Sequence, residues 1–96
     1  MITKTELKSI DTQYFDILQM GCFTVYVQSR NTNHYWSIQV EEYPNFRHYE
    51  IYHKHNSHNE YQRHSDVRSL SVAIEHIKGH DAFQLNGRKS VKNYVS

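Results

Sequence analysis

The stretch Cys22–Lys54, CFTVYVQSRNTNHYWSIQVEEYPNFRHYEIYHK, decides how this chain folds. Phe23, Val25 and Val27 fall on one side of an extended backbone, with Thr24, Tyr26, Gln28 and Arg30 on the other, which is the period of a half-buried strand. Asn31, Thr32 and Asn33 are turn formers. After them Trp36, Ile38 and Val40 alternate with Tyr35, Ser37, Gln39, Glu41 and Tyr43. Pro44 and Asn45 supply a second turn, and a third strand then places Tyr49 and Ile51 on the apolar face and His48, Glu50, Tyr52 and Lys54 on the polar one. The stretch predicts a three-stranded antiparallel meander with one greasy side and one side rich in phenols.

The flanking segments read as helices. Thr3 and Glu6 have capping-box spacing, and Ile2 and Leu7 stand where a hydrophobic staple closes. Leu7, Ile10, Tyr14, Ile17 and Leu18 continue at steps of three and four, so a helix is expected over about residues 4 to 20, with Gly21 as its left-handed cap. The polar run from His55 to His64 reads as a loop. A second helix, capped by Ser65 or Asp66, is expected to present Val67, Leu70, Ala73, Ile74 and Ile77 on one stripe, with Lys78 near its negative end and Gly79 ending it. Asn86 and Gly87 either turn a short hairpin from Phe83 to Val91 or cap a helical turn begun at Asp81. Beyond about residue 88 the chain reads as a flexible tail.

The expected fold is α+β: a two-layer sandwich in the order α-β-β-β-α, its meander covered on one face by two helices, in one domain spanning residues 1–96. This order resembles that of double-stranded-RNA-binding domains, with Arg63, His64 and Arg68 standing where those domains have a lysine-rich start to their second helix. The likeness is one of topology, and order of elements does not transfer function.

Composition narrows the classes of activity. The 96 residues suffice for one core layer but leave no room for a deep cleft. Lys and Arg total 11 against 10 Asp and Glu, so the chain lacks the strong positive field of a duplex-DNA coat. The single cysteine, Cys22, excludes an intramolecular disulfide and fits a reducing cytoplasm. Following the expected first helix, where the negative dipole end disfavours a thiolate, Cys22 reads as inert. No apolar run approaches the ~20 residues of a membrane span. With only three glycines the chain carries no nucleophile elbow, phosphate loop or dinucleotide fingerprint.

Three surfaces remain. The first is the phenol-rich sheet face, with Tyr26, Arg30, Tyr35, Tyr43, His48, Tyr52 and Lys54 as candidates for contact with a protein partner or a second copy of the chain. Tyrosine and arginine concentrate in binding hot spots because they bury area while keeping a polar group that finds a partner. Tyrosine also suits a pleated half-exposed surface without any ligand. The same face, or Arg63, His64 and Arg68 at the start of the second helix, is the candidate for single-stranded or structured nucleic acid, opposed by Glu41 and Glu50 on the platform itself. The third is His53, His55 and Glu60, whose HxHx4E spacing resembles the metal-binding motif of cupins. The glycines that flank that motif are replaced here by Arg47 and Val67, and the one proline lies upstream of it. The expectation is a binding module without cofactor or catalysis.

Overall fold

A computed structural model describes residues 1–87. Its elements run α1 (Lys4–Lys8), β1 (Phe15–Met20), β2 (Thr24–Ser29), β3 (Tyr35–Glu42), β4 (Arg47–Lys54), β5 (Gln62–Val67) and α2 (Leu70–Leu85). The five strands form one antiparallel meander in sequence order. The α+β class and the two-layer arrangement stand. The three-stranded sheet and the order α-β-β-β-α do not, because a strand is added at each edge.

The first correction lies in residues 4–20. The capping box is present: Thr3 Oγ1 accepts from the Glu6 amide at 3.1 Å, and Glu6 Oε1 accepts from the Thr3 amide at 2.9 Å. The helix it starts lasts only five residues. Asp11 accepts from the Gln13 amide at 2.9 Å through its side chain, while its carbonyl takes the Tyr14 and Phe15 amides. That local competition for backbone donors breaks the helix, as short polar side chains do. Phe15 and Ile17 then point to the core from β1, which pairs with β2 from Phe15↔Ser29 to Met20↔Val25, with a bulge at Leu18. Gly21 belongs to the β1–β2 turn, as do Cys22 and Phe23. Phe23, expected in the core, is therefore 53% exposed. Cys22 is exposed and follows a strand, which removes the helix-end argument for its inertness.

The second correction is β5. Residues expected as loop and helix start form an edge strand paired with β4 from Tyr49↔Val67 to His53↔Gln62. The helix begins only at Leu70, with Ser69 as its cap accepting from the Val72 amide at 3.2 Å. It runs through Gly79 to Leu85, and Asn86 caps it, with Gly87 at φ 65°. Of the two readings of Asn86 and Gly87, the cap holds, on a continuous helix; Phe83 is helical, and the rest of the proposed hairpin falls outside the described residues. The expected flexible tail likewise lies outside them.

The central strands match the reading of their period. Val25, Val27, Trp36, Ile38, Val40, Tyr49 and Ile51 are buried on one face, where Leu70, Ala73, Ile74 and Ile77 of α2 and Ile2 and Ile10 of the N-terminal segment complete the core. Asn33 takes a left-handed φ of 63° in the β2–β3 turn, a conformation asparagine tolerates better than most residues. The buried indole Nε1 of Trp36 donates to Ser29 Oγ at 3.1 Å.

Ser37 is the exception on the opposite face. It pairs with Tyr26 on one side and Tyr52 on the other, and is buried between them. Its hydroxyl finds no hydrogen-bond partner among the described residues. Ser37→Ala is therefore expected to raise stability by about 1 kcal/mol, read as a higher urea midpoint at unchanged slope. A lowered midpoint would show that this hydroxyl is satisfied in solution.

Candidate functional site

Both helices lie on the Trp36 side of the sheet, so the other face keeps its phenols half-buried rather than covered by a second layer. The register places Gln28, Tyr35 and Lys54 in one row, Tyr26, Ser37, Tyr52 and Arg63 in the next, and Thr24, Gln39, Glu50 and Asp66 in a third. Tyr61, just before β5, reaches back over this face. Its ring sits 5.8 Å from that of Tyr26, and Lys54 Nζ lies 4.5 Å from its centre and 5.3 Å from that of Tyr35. One ammonium thus holds two phenol rings by cation–π attraction.

The expected contact set divides into groups. Tyr26, Tyr35, Tyr52 and Lys54 share one end of the face with Tyr61. Tyr43 and His48 lie at the other, stacked with Phe46, which is 60% exposed. Glu50 joins the two, accepting from Tyr52 Oη at 2.8 Å and lying 3.5 Å from His48 Nε2. The Tyr52 bond holds the Glu50 carboxyl below its ordinary range. Arg30 stands apart at the β1–β2 edge, paired with Asp16 at 2.8 Å. Tyr61 and Phe46 were missed because each sits outside the alternation of a strand.

The nucleic-acid alternative loses one of its two versions, the helix start. Arg63 and His64 are strand residues and not a helix start. Arg63 pairs with Tyr52 on the phenol face, whereas a bulge between Arg63 and Ser65 turns His64 inward, against Trp36 and His80. Bulges commonly re-aim one side chain in this way. Arg68 follows β5 beside a second concavity of about 400 Å³, shared with Phe46, Arg47 and His48.

The inner face carries a feature that spacing announced only in part. Six of the eight histidines, His34, His53, His55, His64, His76 and His80, form a continuous chain of ring contacts at one end of the core. His53 of β4 stacks on Trp36 at 4.1 Å, and its Nε2 lies 3.0 Å from His34 Nδ1. His80 of α2 closes the third side, its ring 4.9 Å from His53. Burial, reinforced by the neighbouring imidazoles, pushes His53 down to about 3. Burial also lowers His64 and His80.

Of the cupin-like triple, His53 and His55 belong to this cluster, and only His53 stands in the close trio with His34 and His80. His55 stacks on His34 at 4.3 Å, and Glu60 is exposed, lining with His53, His55, Lys54, Arg63 and His64 a concavity of about 360 Å³. His34 and His80 were out of reach of any local motif, although His76 and His80 stand one helical turn apart on α2.

Beside the imidazoles, Asp81 is fully buried on the same helical stripe as Leu70, Ala73, Ile74 and Ile77. Its carboxylate accepts from Tyr14 Oη at 2.6 Å and from Thr32 Oγ1 at 3.0 Å. Burial first, then the Asp81 bond, pushes the Tyr14 phenol far above its ordinary range. Thr32 Oγ1 in turn takes the His34 amide at 3.2 Å, so this one carboxylate ties α2, the segment before β1 and the turn carrying His34 together. Among the described residues no helix is long and apolar enough to cross a membrane. Comparison with known protein families, with curated proteins and with solved structures finds no match for this chain.

Proposed function

We propose that the chain is a binding module without a catalytic step, and that it engages another protein through the helix-free face of its sheet. The observation that carries this reading is the set Tyr26, Tyr35, Tyr52 and Tyr61, half-exposed yet held in place by Lys54 and Glu50. Aromatic side chains already ordered in the free protein lose less rotamer freedom on association, which favours their use as anchors. Their hydroxyls supply the polar contacts that an apolar patch lacks.

The chemistry of the face favours protein over nucleic acid. Glu50 and Asp66 are paired across β4 and β5 in the middle of the surface, and Glu41 lies one strand away, opposite His48. A phosphate backbone laid along the phenols would meet these carboxylates, whereas a protein surface with donors of its own would use them. Arg63, the cation nearest that row, is already 3.7 Å from Asp66.

The test is quantitative affinity capture with the parent and with a Tyr35→Ser, Tyr52→Ser double variant, each with and without nuclease. Two anchors worth more than ~1 kcal/mol each predict that the partner is retained at least tenfold less by the double variant. Far-UV circular dichroism should be unchanged, since neither residue belongs to the core. Equal retention of every captured protein would remove the reading; retention abolished by nuclease alone would transfer the face to nucleic acid, and concentration-dependent sedimentation of the pure chain to self-association.

A further inference from the structure

We propose that His34, His53 and His80 form a binding site for one divalent transition-metal ion of the zinc, cobalt or copper class. The site is separate from the phenol face, being built on the opposite side of the sheet, and does not depend on the function proposed for that face.

The geometry is close to that of a three-imidazole centre. One ring nitrogen from each of the three residues lies within 4.8 Å of the other two. Metal–nitrogen bonds of ~2.0–2.1 Å at tetrahedral angles place ligand nitrogens roughly 3.3 Å apart. His53 Nε2 and His34 Nδ1 are already at 3.0 Å, so that pair needs to open only slightly while His80 closes by a side-chain rotation. Two neutral imidazoles at that distance share one proton in an N–H···N bond. Moving it to the other nitrogen of the donor ring, a change of tautomer, turns both lone pairs toward the ion. Imidazole donors favour late first-row ions over magnesium or calcium.

The surroundings also fit. The indole of Trp36 stacks on His53 and fixes its ring plane. The Gln84 carboxamide lies against His80 Nε2, its nitrogen at 3.3 Å, and a half-turn of that amide would present its oxygen to an Nε2–H, the contact that orients an imidazole ligating through Nδ1. Asp81, next to His80 and buried, provides a negative charge near a site whose ligands are all neutral, and through Thr32 it holds the His34 turn against α2. All three rings are half-buried, close enough to the surface for an ion to reach their nitrogens. The concavity of about 360 Å³ that reaches His53 and His64 gives an ion a route in and leaves its fourth position open to water or to His64.

The single tryptophan is a built-in reporter, its ring 4.1 Å from that of His53. Metal-free protein titrated with cobalt chloride should show one equivalent of quenching of Trp36 emission together with a visible ligand-field band, both reversed by zinc chloride. His80→Gln and His34→Gln should each weaken cobalt binding by about a hundredfold or more, ligand loss exceeding the ~10–100-fold effect of outer-shell partners. His48→Gln and His58→Gln, outside the cluster, should leave it unchanged. Far-UV circular dichroism identifies any variant that does not fold, in which case the other cluster variant decides. The proposal is overturned if millimolar cobalt leaves Trp36 emission unaltered, or if quenching survives in folded His80→Gln and His34→Gln.

Discussion

Asp81→Ala is expected to lower folding stability by about 3 kcal/mol, read from urea denaturation at neutral pH. The side chain is fully buried and accepts two hydrogen bonds, from Tyr14 Oη and Thr32 Oγ1, residues 67 and 49 positions away in the chain. Hydrogen bonds to a charged group contribute ~1.5–3 kcal/mol each, and truncation leaves both hydroxyls facing a void. Relief of the carboxylate's own desolvation offsets part of the loss, which is why the lower end of the sum is expected. Asp81→Asn keeps an acceptor for Thr32 and should cost about half as much. Tyr14→Phe combined with Asp81→Ala should be clearly less destabilising than the sum of the single changes, because both remove the same bond. If Asp81→Ala stays within 1 kcal/mol of the parent, the carboxylate does not clamp these segments.

This clamp also shows what could be read from the sequence and what could not. Leu70, Ala73, Ile74 and Ile77 were legible as a buried stripe because helical period is a local property. Asp81 continues the stripe four residues after Ile77, but a charged residue there looks like the end of an apolar face unless its partners are known. Those partners, Tyr14 and Thr32, become neighbours only once the sheet has formed. Tyr14, Ile17 and Leu18 satisfied helical spacing as well as Phe15 and Ile17 satisfied a strand, and the Asp11 turn decided between them. The central strands were legible through Val25, Val27, Trp36, Ile38, Val40, Tyr49 and Ile51, whose alternation has one solution. Strand β5 was not: Gln62, Arg63, His64, Ser65 and Asp66 carry no apolar alternation, and the strand exists because the exposed edge of β4 offers it hydrogen bonds.

The histidine cluster illustrates the same limit at the site. His53 and His55 were visible as a pair with ligand spacing, but His34, His64 and His80 arrive from a turn, a bulge and a helix. Spacing along the chain finds ligands that share an element. Here each ligand comes from a different one, so only the fold brings them together.

Acidification of the metal-free protein is expected to reduce stability sharply between pH 6.5 and 4.5, before carboxylates titrate. The sign follows from where protons bind. In the unfolded chain His53 takes up a proton around its ordinary value of 6.5, whereas in the fold burial holds it neutral down to about 3. Above pH 6.5 both states are neutral and stability is at its full value. Between the two values the unfolded state holds the extra proton, and stability falls by ~1.4 kcal/mol per pH unit for each such imidazole. His64 and His80 are displaced in the same direction by burial, although Asp81 pulls His80 partly back, so the slope should exceed that of one proton. Glu50 adds to the loss only below 4.5, its ordinary value, because the Tyr52 bond holds it lower in the fold. Urea midpoints measured with a chelator present at pH 7.5, 6.5, 5.5 and 4.8 should therefore drop progressively over the last three. His53→Leu, which removes a titrating ring while keeping an apolar side chain against Trp36, should flatten that slope by about one proton. Midpoints that stay level from pH 7.5 to 4.8 would mean that the imidazoles protonate in place, and that water reaches the cluster as freely in the fold as in the unfolded chain.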